Sequence, residues 1–183
     1  MRTFVTLEFD KKTKEYISGI QNLIRQKSMK GRFKYIDNFH LTLKFLGEAD
    51  REQIDTIYDE LLLKLAGQKE FSINLCGIGC FGPGKTIKTV YIKTDDEMNV
   101  LSNVAKAADE ASQKAGFKPC SRYTSHITIA QEVELYVPYE QLAGELEGKI
   151  NYKVTFDKVT IMKSEQIGYK RIYTPVKIIS LDK

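Results

Sequence analysis

Two short segments of alternating character constrain this chain more than any other feature: His40-Leu41-Thr42-Leu43 and His126-Ile127-Thr128-Ile129. In an extended strand, residues i and i+2 point to the same side, so each segment carries a histidine and a threonine on one face and aliphatic side chains on the other. An apolar strand face has to be buried against other elements, so each segment needs its own sheet wall. The polar faces are then free to line the two sides of a cleft. Extending the alternation places Lys44 on the polar face of the first strand, with Phe39, Leu41, Leu43 and Phe45 toward a core. On the second strand it groups Ala130 with His126 and Thr128, opposite Ile127 and Ile129. These are the only two histidines in the chain. With 13 threonines in 183 residues, chance puts a threonine two places after both histidines about once in 200 such chains.

The surrounding sequence reads as a mixture of strands and helices. Residues 3–9 form a β-branched and aromatic strand, Asp10 stands at a helix N-cap, and Ile17, Ile20 and Ile24 give an amphipathic helix over about 11–28, with Gly31 just beyond it. A strand over 38–46 leads to Asp50 and Gln53, a capping box opening a helix with Ile54, Ile57, Leu61 and Leu65 inward and Gly67 at its stop. FSINLCGIGCF and TIKTVYIKT, joined by Gly82-Pro83-Gly84-Lys85, read as a hairpin. A helix over about 95–115 buries Leu101, Val104, Ala108 and Ala111 and ends at Gly116. A strand over 123–130, a brief helix over 138–146 opened by Pro138, and a closing strand pair, 150–162 with 171–180, complete the chain. Strict βαβα alternation is lacking, so an α+β fold with largely antiparallel sheets is expected.

Length fits one compact unit over residues 1–183. Charged residues make up 28% and no like-charge run occurs, which argues against a disordered chain. No segment reaches 18 apolar residues and the start, MRTFVTLEFD, lacks the apolar core of a secretory signal, so a cytoplasmic protein with no membrane partner is expected. The net charge of +4 permits an anionic partner without requiring one. Cys76, Cys80 and Cys120 cannot all pair with one another, which points to reduced thiols. A zinc site at Cys76 and Cys80 lacks the further ligands it needs, and the pair is expected as small buried residues of a strand and its turn.

Paired histidines on facing walls supply acid–base chemistry, because an imidazole titrates near neutrality and either takes or gives a proton. In phosphodiester hydrolysis one removes a proton from attacking water and the other protonates the departing oxygen. Threonine hydroxyls at i+2 donate to non-bridging phosphate oxygens as charge builds there. No metal and no cofactor are required. A site holding a phosphate end without turning it over would keep the same four residues.

The segment NFHLTLKFLGE (38–48) resembles, almost position by position, the signature of the two-histidine (2H) phosphoesterases. Within these it is similar to the RNA 2′,3′-cyclic phosphodiesterases formerly called 2′-5′ RNA ligases. FVTLEF, FSINLCGIGCFG, YTSHITIA and FDKVTIMKSE extend the resemblance over essentially the whole chain. It implies two pseudo-symmetric lobes of antiparallel sheet with outer helices, one His-x-Thr motif per lobe, and a central groove. It also implies hydrolysis of a 2′,3′-cyclic phosphate on RNA 3′ ends or cyclic nucleotides to a 2′-phosphate, with His126 as base, His40 as acid, and Thr42 and Thr128 on the phosphate. No obligate protein partner is implied. The alternatives are a 2H enzyme acting on 2′-5′ linkages or another small cyclic nucleotide, and a non-catalytic RNA-end binding module. The chain departs from the family at Thr124, Ser125 and Gln131, where arginine, proline and arginine are common. Lys44, Arg122 and Arg32 are candidates to compensate, and Tyr123 to stack on a base.

Overall fold

The computed structural model describes residues 1–183 and contains nine strands and four α-helices in two antiparallel sheets. β1 (Arg2–Glu8) leads through Asp10, whose side chain accepts from the Thr13 N–H, into α1 (Lys11–Gln26). β2 (Ser28–Phe33), a single 3-10 turn at Ile36–Asn38 and β3 (His40–Glu48) follow. The capping box of Asp50 and Gln53 opens α2 (Arg51–Lys64). β4 (Phe71–Phe81) and β5 (Ile87–Asp95) form the expected hairpin, and α3 (Val100–Lys114) precedes β6 (His126–Leu135). Last come α4 (Tyr139–Leu146), β7 (Tyr152–Phe156), β8 (Lys158–Ile167) and β9 (Lys170–Ser180).

One sheet has the order β3-β1-β8-β9 and the other β2-β6-β5-β4-β7, so each histidine motif begins a strand of a different sheet. α2 and α3 pack against the four-stranded sheet, α1 and α4 against the five-stranded one. The helices thereby cross over: α1 follows a strand of one sheet and packs on the other, and α3 does the reverse. This exchange ties the halves together, and one cluster of 39 buried apolar residues includes side chains of both sheets and all four helices. No helix is long and apolar enough to cross a membrane.

Several local expectations are corrected. The segment around Gly31 is a strand, β2, which pairs with β6; polar and half-exposed, it carries no apolar period by which to recognise it. The helix expected from about 95 begins at Val100, because Asn99 before it adopts φ 55° and breaks the turn. The strand expected over 123–130 starts at His126 and runs on to Leu135. The closing strand over 150–162 is two strands, since β7 pairs with β4 whereas β8 pairs with β1 and β9. Cys76 is exposed and Cys80 half-buried, so the cysteines are not core residues.

Strand alternation fails at the same place in both motifs. β1 places Thr6 opposite Thr42 and Val5 opposite Lys44, leaving Leu43 as an extra residue; β5 places Tyr91 opposite Thr128 and Val90 opposite Ala130, leaving Ile129 extra. Each is a bulge one residue after the threonine, and beyond a bulge the faces exchange. Lys44, expected on the polar face, is therefore only 7% exposed, and Phe45, expected in the core, is 69% exposed. Ala130 likewise joins the core.

Candidate active site

Each motif histidine opens its strand, and its ring is held in the same way. His40 Nδ1 bonds the carbonyl of Asn38 at 2.7 Å, and His126 Nδ1 bonds that of Thr124 at 2.8 Å, two residues upstream in both cases. A carbonyl only accepts, so Nδ1 carries the proton and Nε2 is the nitrogen left to exchange protons. Asn38 is itself fixed, its side-chain amide donating to the Arg171 carbonyl at 2.8 Å. Aromatic rings wedge both imidazoles. Phe4 and Tyr173 lie 4.9 and 5.1 Å from His40, and Phe81 and Tyr91 lie 5.1 and 5.5 Å from His126, centroid to centroid. Tyr91 reaches its position by lying across Gly79, its cross-strand neighbour. A Cβ at Gly79 would clash with that ring.

β3 and β6 run beside each other where the two sheets meet. Between them one cavity of about 200 Å³ is lined by Thr42, Phe45, Arg122, Tyr123, Thr124 and His126, and a second of about 350 Å³ by His40, Phe45, Gln131, Lys34, Arg171 and Tyr173 among others. The exposed ring of Phe45 lines both, so the two cavities adjoin along it as the His126 and His40 halves of a groove. A larger cavity, about 720 Å³, lies elsewhere, around Gln68, Asn74 and Met98. It contains neither histidine, and size alone is a poor guide to chemistry here.

Burial, then the positive charge of Lys34, pushes the His40 imidazole down to about 3, although its bond to Asn38 acts the other way. The charge of His126 adds to this depression, so the two rings are near enough to feel each other. His40 is thus neutral at physiological pH, with its Nε2 lone pair free. The hydroxyls of Thr42 and Thr128 are half-buried and have no hydrogen-bond partner in the chain. Thr6 and Thr160, by contrast, donate to the Leu41 carbonyl and Glu8. Thr42 lines the groove, while Thr128 sits between His126 and Gln131 on β6 and lines neither half directly.

The other candidates divide. Arg122 and Tyr123 line the His126 half, but the Tyr123 hydroxyl lies 3.4 Å from the Thr42 carbonyl and its ring packs on the core; burial raises its pKa above the ordinary phenol value. Lys44 also lines the His126 half, but its ammonium is already engaged within the chain. It bonds Asp109 Oδ1 at 2.5 Å and the Lys118 carbonyl at 2.7 Å, because the bulge at Leu43 turned its side chain inward. Arg32 pairs with Glu132 at 3.0 Å on the outer surface. Of the residues replacing common family ones, Thr124 holds His126 through its carbonyl, Ser125 shares a hydrogen bond with Thr94 at 2.6 Å, and Gln131 faces the His40 half. Sequence reasoning missed Lys34, Arg171, Asn38 and the four wedging rings. Only Asn38 carried a local signal, two places before a motif histidine. No three histidine, cysteine or acidic side chains converge in a metal-binding group.

The family model of LigT-like phosphoesterases matches residues 7–91. An RNA 2′,3′-cyclic phosphodiesterase of Methanocaldococcus jannaschii is 34% identical over 131 residues, 72% of this chain and 71% of that protein. The chain belongs to the LigT-like phosphoesterase family. A second relative named RNA 2′,3′-cyclic phosphodiesterase, from Methanothermobacter thermautotrophicus, is 24% identical over 183 residues and 99% of both chains. The crystal structure of E. coli LigT complexed with 3′-AMP superposes with a TM-score of 0.81, at 20% identity over 100% of this chain and 98% of that one. The α+β fold expected from the sequence is thus the LigT fold, two antiparallel sheets with helices outside, and the protein is a 2H phosphoesterase.

Proposed function

We propose that this 2H phosphoesterase, acting as one bilobal unit over residues 1–183, opens 2′,3′-cyclic phosphates on RNA 3′ ends or nucleotides and leaves a 2′-phosphate. The observation that carries the proposal is the matched tethering of both imidazoles, each by Nδ1 to a carbonyl two residues back, with Nε2 free beside a shared groove. In this assignment His126 Nε2 takes a proton from water as the water oxygen bonds to phosphorus. The bond from phosphorus to the ribose 3′ oxygen breaks, and His40 Nε2 gives that oxygen its proton. Thr42, which lines the groove, donates to a non-bridging oxygen, where negative charge accumulates, and the matching role of Thr128, two residues along β6 from His126, rests on the motif it shares with Thr42. The proton lost by His40 and the one gained by His126 are exchanged with solvent before the next turnover.

With its pKa lowered to about 3, His40 must gain a proton in the complex with substrate to act as the acid. An anionic phosphate in the groove supports this, since it offsets the charge of Lys34 that helps to hold His40 down. The names of the relatives from Methanocaldococcus and Methanothermobacter favour a cyclic phosphate over a 2′-5′ linkage. The deciding experiment incubates purified protein with RNA ending in a 2′,3′-cyclic phosphate and identifies the terminus formed. A 2′-phosphate with multiple turnovers is expected. A 3′-phosphate overturns the direction of opening, and tight binding without turnover replaces the enzyme with an RNA-end binding module.

A further inference from the structure

The half of the groove beside His40 holds more positive charge than a single phosphodiester needs. Arg2, Lys34 and Arg171 line it with Gln131, Ser164 and Tyr173, and no aspartate or glutamate is among its walls. Arg32, two residues from Lys34, is paired with Glu132, whereas none of the three lining cations has a carboxylate within ion-pair distance. Like charges held together without a counter-ion repel, and burial adds to the cost. Lys34 shows both effects, its pKa lowered by burial and by the charges of Arg171 and Arg32. Such an arrangement is stabilised when an anion arrives.

Both side chains stand on fixed backbone. The Lys34 N–H donates to the Ile129 carbonyl at 3.0 Å, and the buried amide of Gln21 donates to the carbonyls of Lys34 and Ile129 at 2.9 and 2.8 Å. The Arg171 carbonyl is held by Asn38, the residue that also orients His40, and its guanidinium donates to Ser164 Oγ at 3.4 Å. One cation is therefore fastened to the strand of the second motif and the other to the approach of the first.

We propose that Lys34 and Arg171 form a second phosphate subsite, which takes the phosphate on the 5′ oxygen of the nucleoside whose 2′,3′-cyclic phosphate lies between the histidines. It rests on the cyclic-phosphate reading above and adds a specificity to it: the preferred substrate carries a 5′ phosphate. The cavity supports this because it holds His40 and the two cations in one space, so a ligand seated at the histidine presents its next phosphate to them. Arg171 offers a planar fork for two phosphate oxygens and Lys34 a point charge. That phosphate belongs either to a 5′-phosphorylated mononucleotide or to an internucleotide link of RNA.

The test compares kcat/KM on adenosine 2′,3′-cyclic phosphate, its 5′-phosphorylated form, and a dinucleotide ending in the cyclic phosphate. The expected gain from the 5′ phosphate is about tenfold or more, mainly in KM, as for charge-assisted hydrogen bonds. The ratio of phosphorylated to unphosphorylated substrate should collapse to within about twofold of one in Lys34→Met and in Arg171→Met, and largely survive in Lys34→Arg. A ratio near one in the parent overturns the subsite, as does a ratio retained in both methionine variants. A gain for the dinucleotide without one for the 5′-phosphorylated mononucleotide also overturns it, because a second nucleoside would then be what is recognised. Binding provides a readout independent of turnover: adenosine 2′,5′-bisphosphate should bind more tightly than adenosine 2′-monophosphate, and Lys34→Met should erase the difference. If no cyclic phosphate is hydrolysed, the reaction assigned above fails while the bisphosphate comparison still decides the subsite.

Discussion

At the scale of single residues, the two imidazoles differ in environment more than in geometry, and both points can be tested. His40→Ala and His126→Ala should each lower turnover of cyclic-phosphate RNA by about 10²–10⁴-fold, and the double variant by less than the product, because the pair works as a unit. Thr42→Ala and Thr128→Ala should cost about 10- to 1000-fold, the range for losing one transition-state donor. Single-turnover rates on one defined oligonucleotide check all five variants, and either histidine variant acting within about threefold of the parent removes the acid–base assignment. His40 also makes a prediction about folding. Its imidazole is held down to about 3 in the folded chain and returns to 6.5 when unfolded, so between those values the unfolded state binds the extra proton. Stability should therefore fall as pH drops from about 6.5 toward 3, and His40→Asn should flatten that fall. Urea midpoints of both proteins at neutral and acidic pH measure it. An undiminished slope in the variant would place the acid sensitivity elsewhere.

At the scale of elements, the bulge at Leu43 buries the side chain of Lys44 beside the groove and commits its ammonium to a structural link. The Lys44 ammonium of β3 meets Asp109 of α3, whose carboxylate also accepts from the Cys120 N–H at 2.8 Å and from Gln113 at 2.9 Å. Burial raises the Asp109 pKa, but the hydrogen bond from Lys44 and the other donors outweigh it and hold the carboxyl below its ordinary 3.8. The stabilisation from this pair is thus present above that ordinary value and lost as pH falls through the lowered one. Because both partners are largely buried, Lys44→Ala should destabilise the protein by about 3–5 kcal/mol, leaving an unmatched carboxylate. The double change Lys44→Met, Asp109→Leu should recover much of the loss. Denaturant unfolding of the three variants tests this, and a loss of under about 1 kcal/mol in Lys44→Ala would show the pair to behave as an exposed one. Cys120 begins the stretch that leads through Arg122 and Tyr123 to His126, so the same variant should also reduce turnover by loosening one wall of the groove.

At the scale of the whole molecule, both histidines are committed to the groove and no other ligand cluster accompanies them, so activity should survive exhaustive chelation. Loss of turnover on chelation that a divalent ion restores, with RNA folding controlled, would overturn the metal-free reading. Much of this architecture was legible in the chain itself. Asp10 and the pair Asp50 and Gln53 announced their helices because a cap is a local bond, and the stripes of Ile17, Ile20 and Ile24 or Leu101, Val104 and Ala108 announced their buried faces because helical period is local too. The histidine and threonine pairs were visible for the same reason, as a period of two on short strands. β2 escaped because its stability comes from pairing with β6 about a hundred residues later, not from its own polar sequence. The sequence by itself thus determined the capped and striped helices, most of the strands and the two His-x-Thr segments, all set by interactions within a few positions. Only the tertiary structure decided that Lys44 turns inward and Phe45 outward, since bulges arise from register against a partner strand. It alone decided that Lys34 and Arg171, on β2's exit and on β9, meet unpaired beside His40, because electrostatic fields act through space between residues the chain keeps far apart.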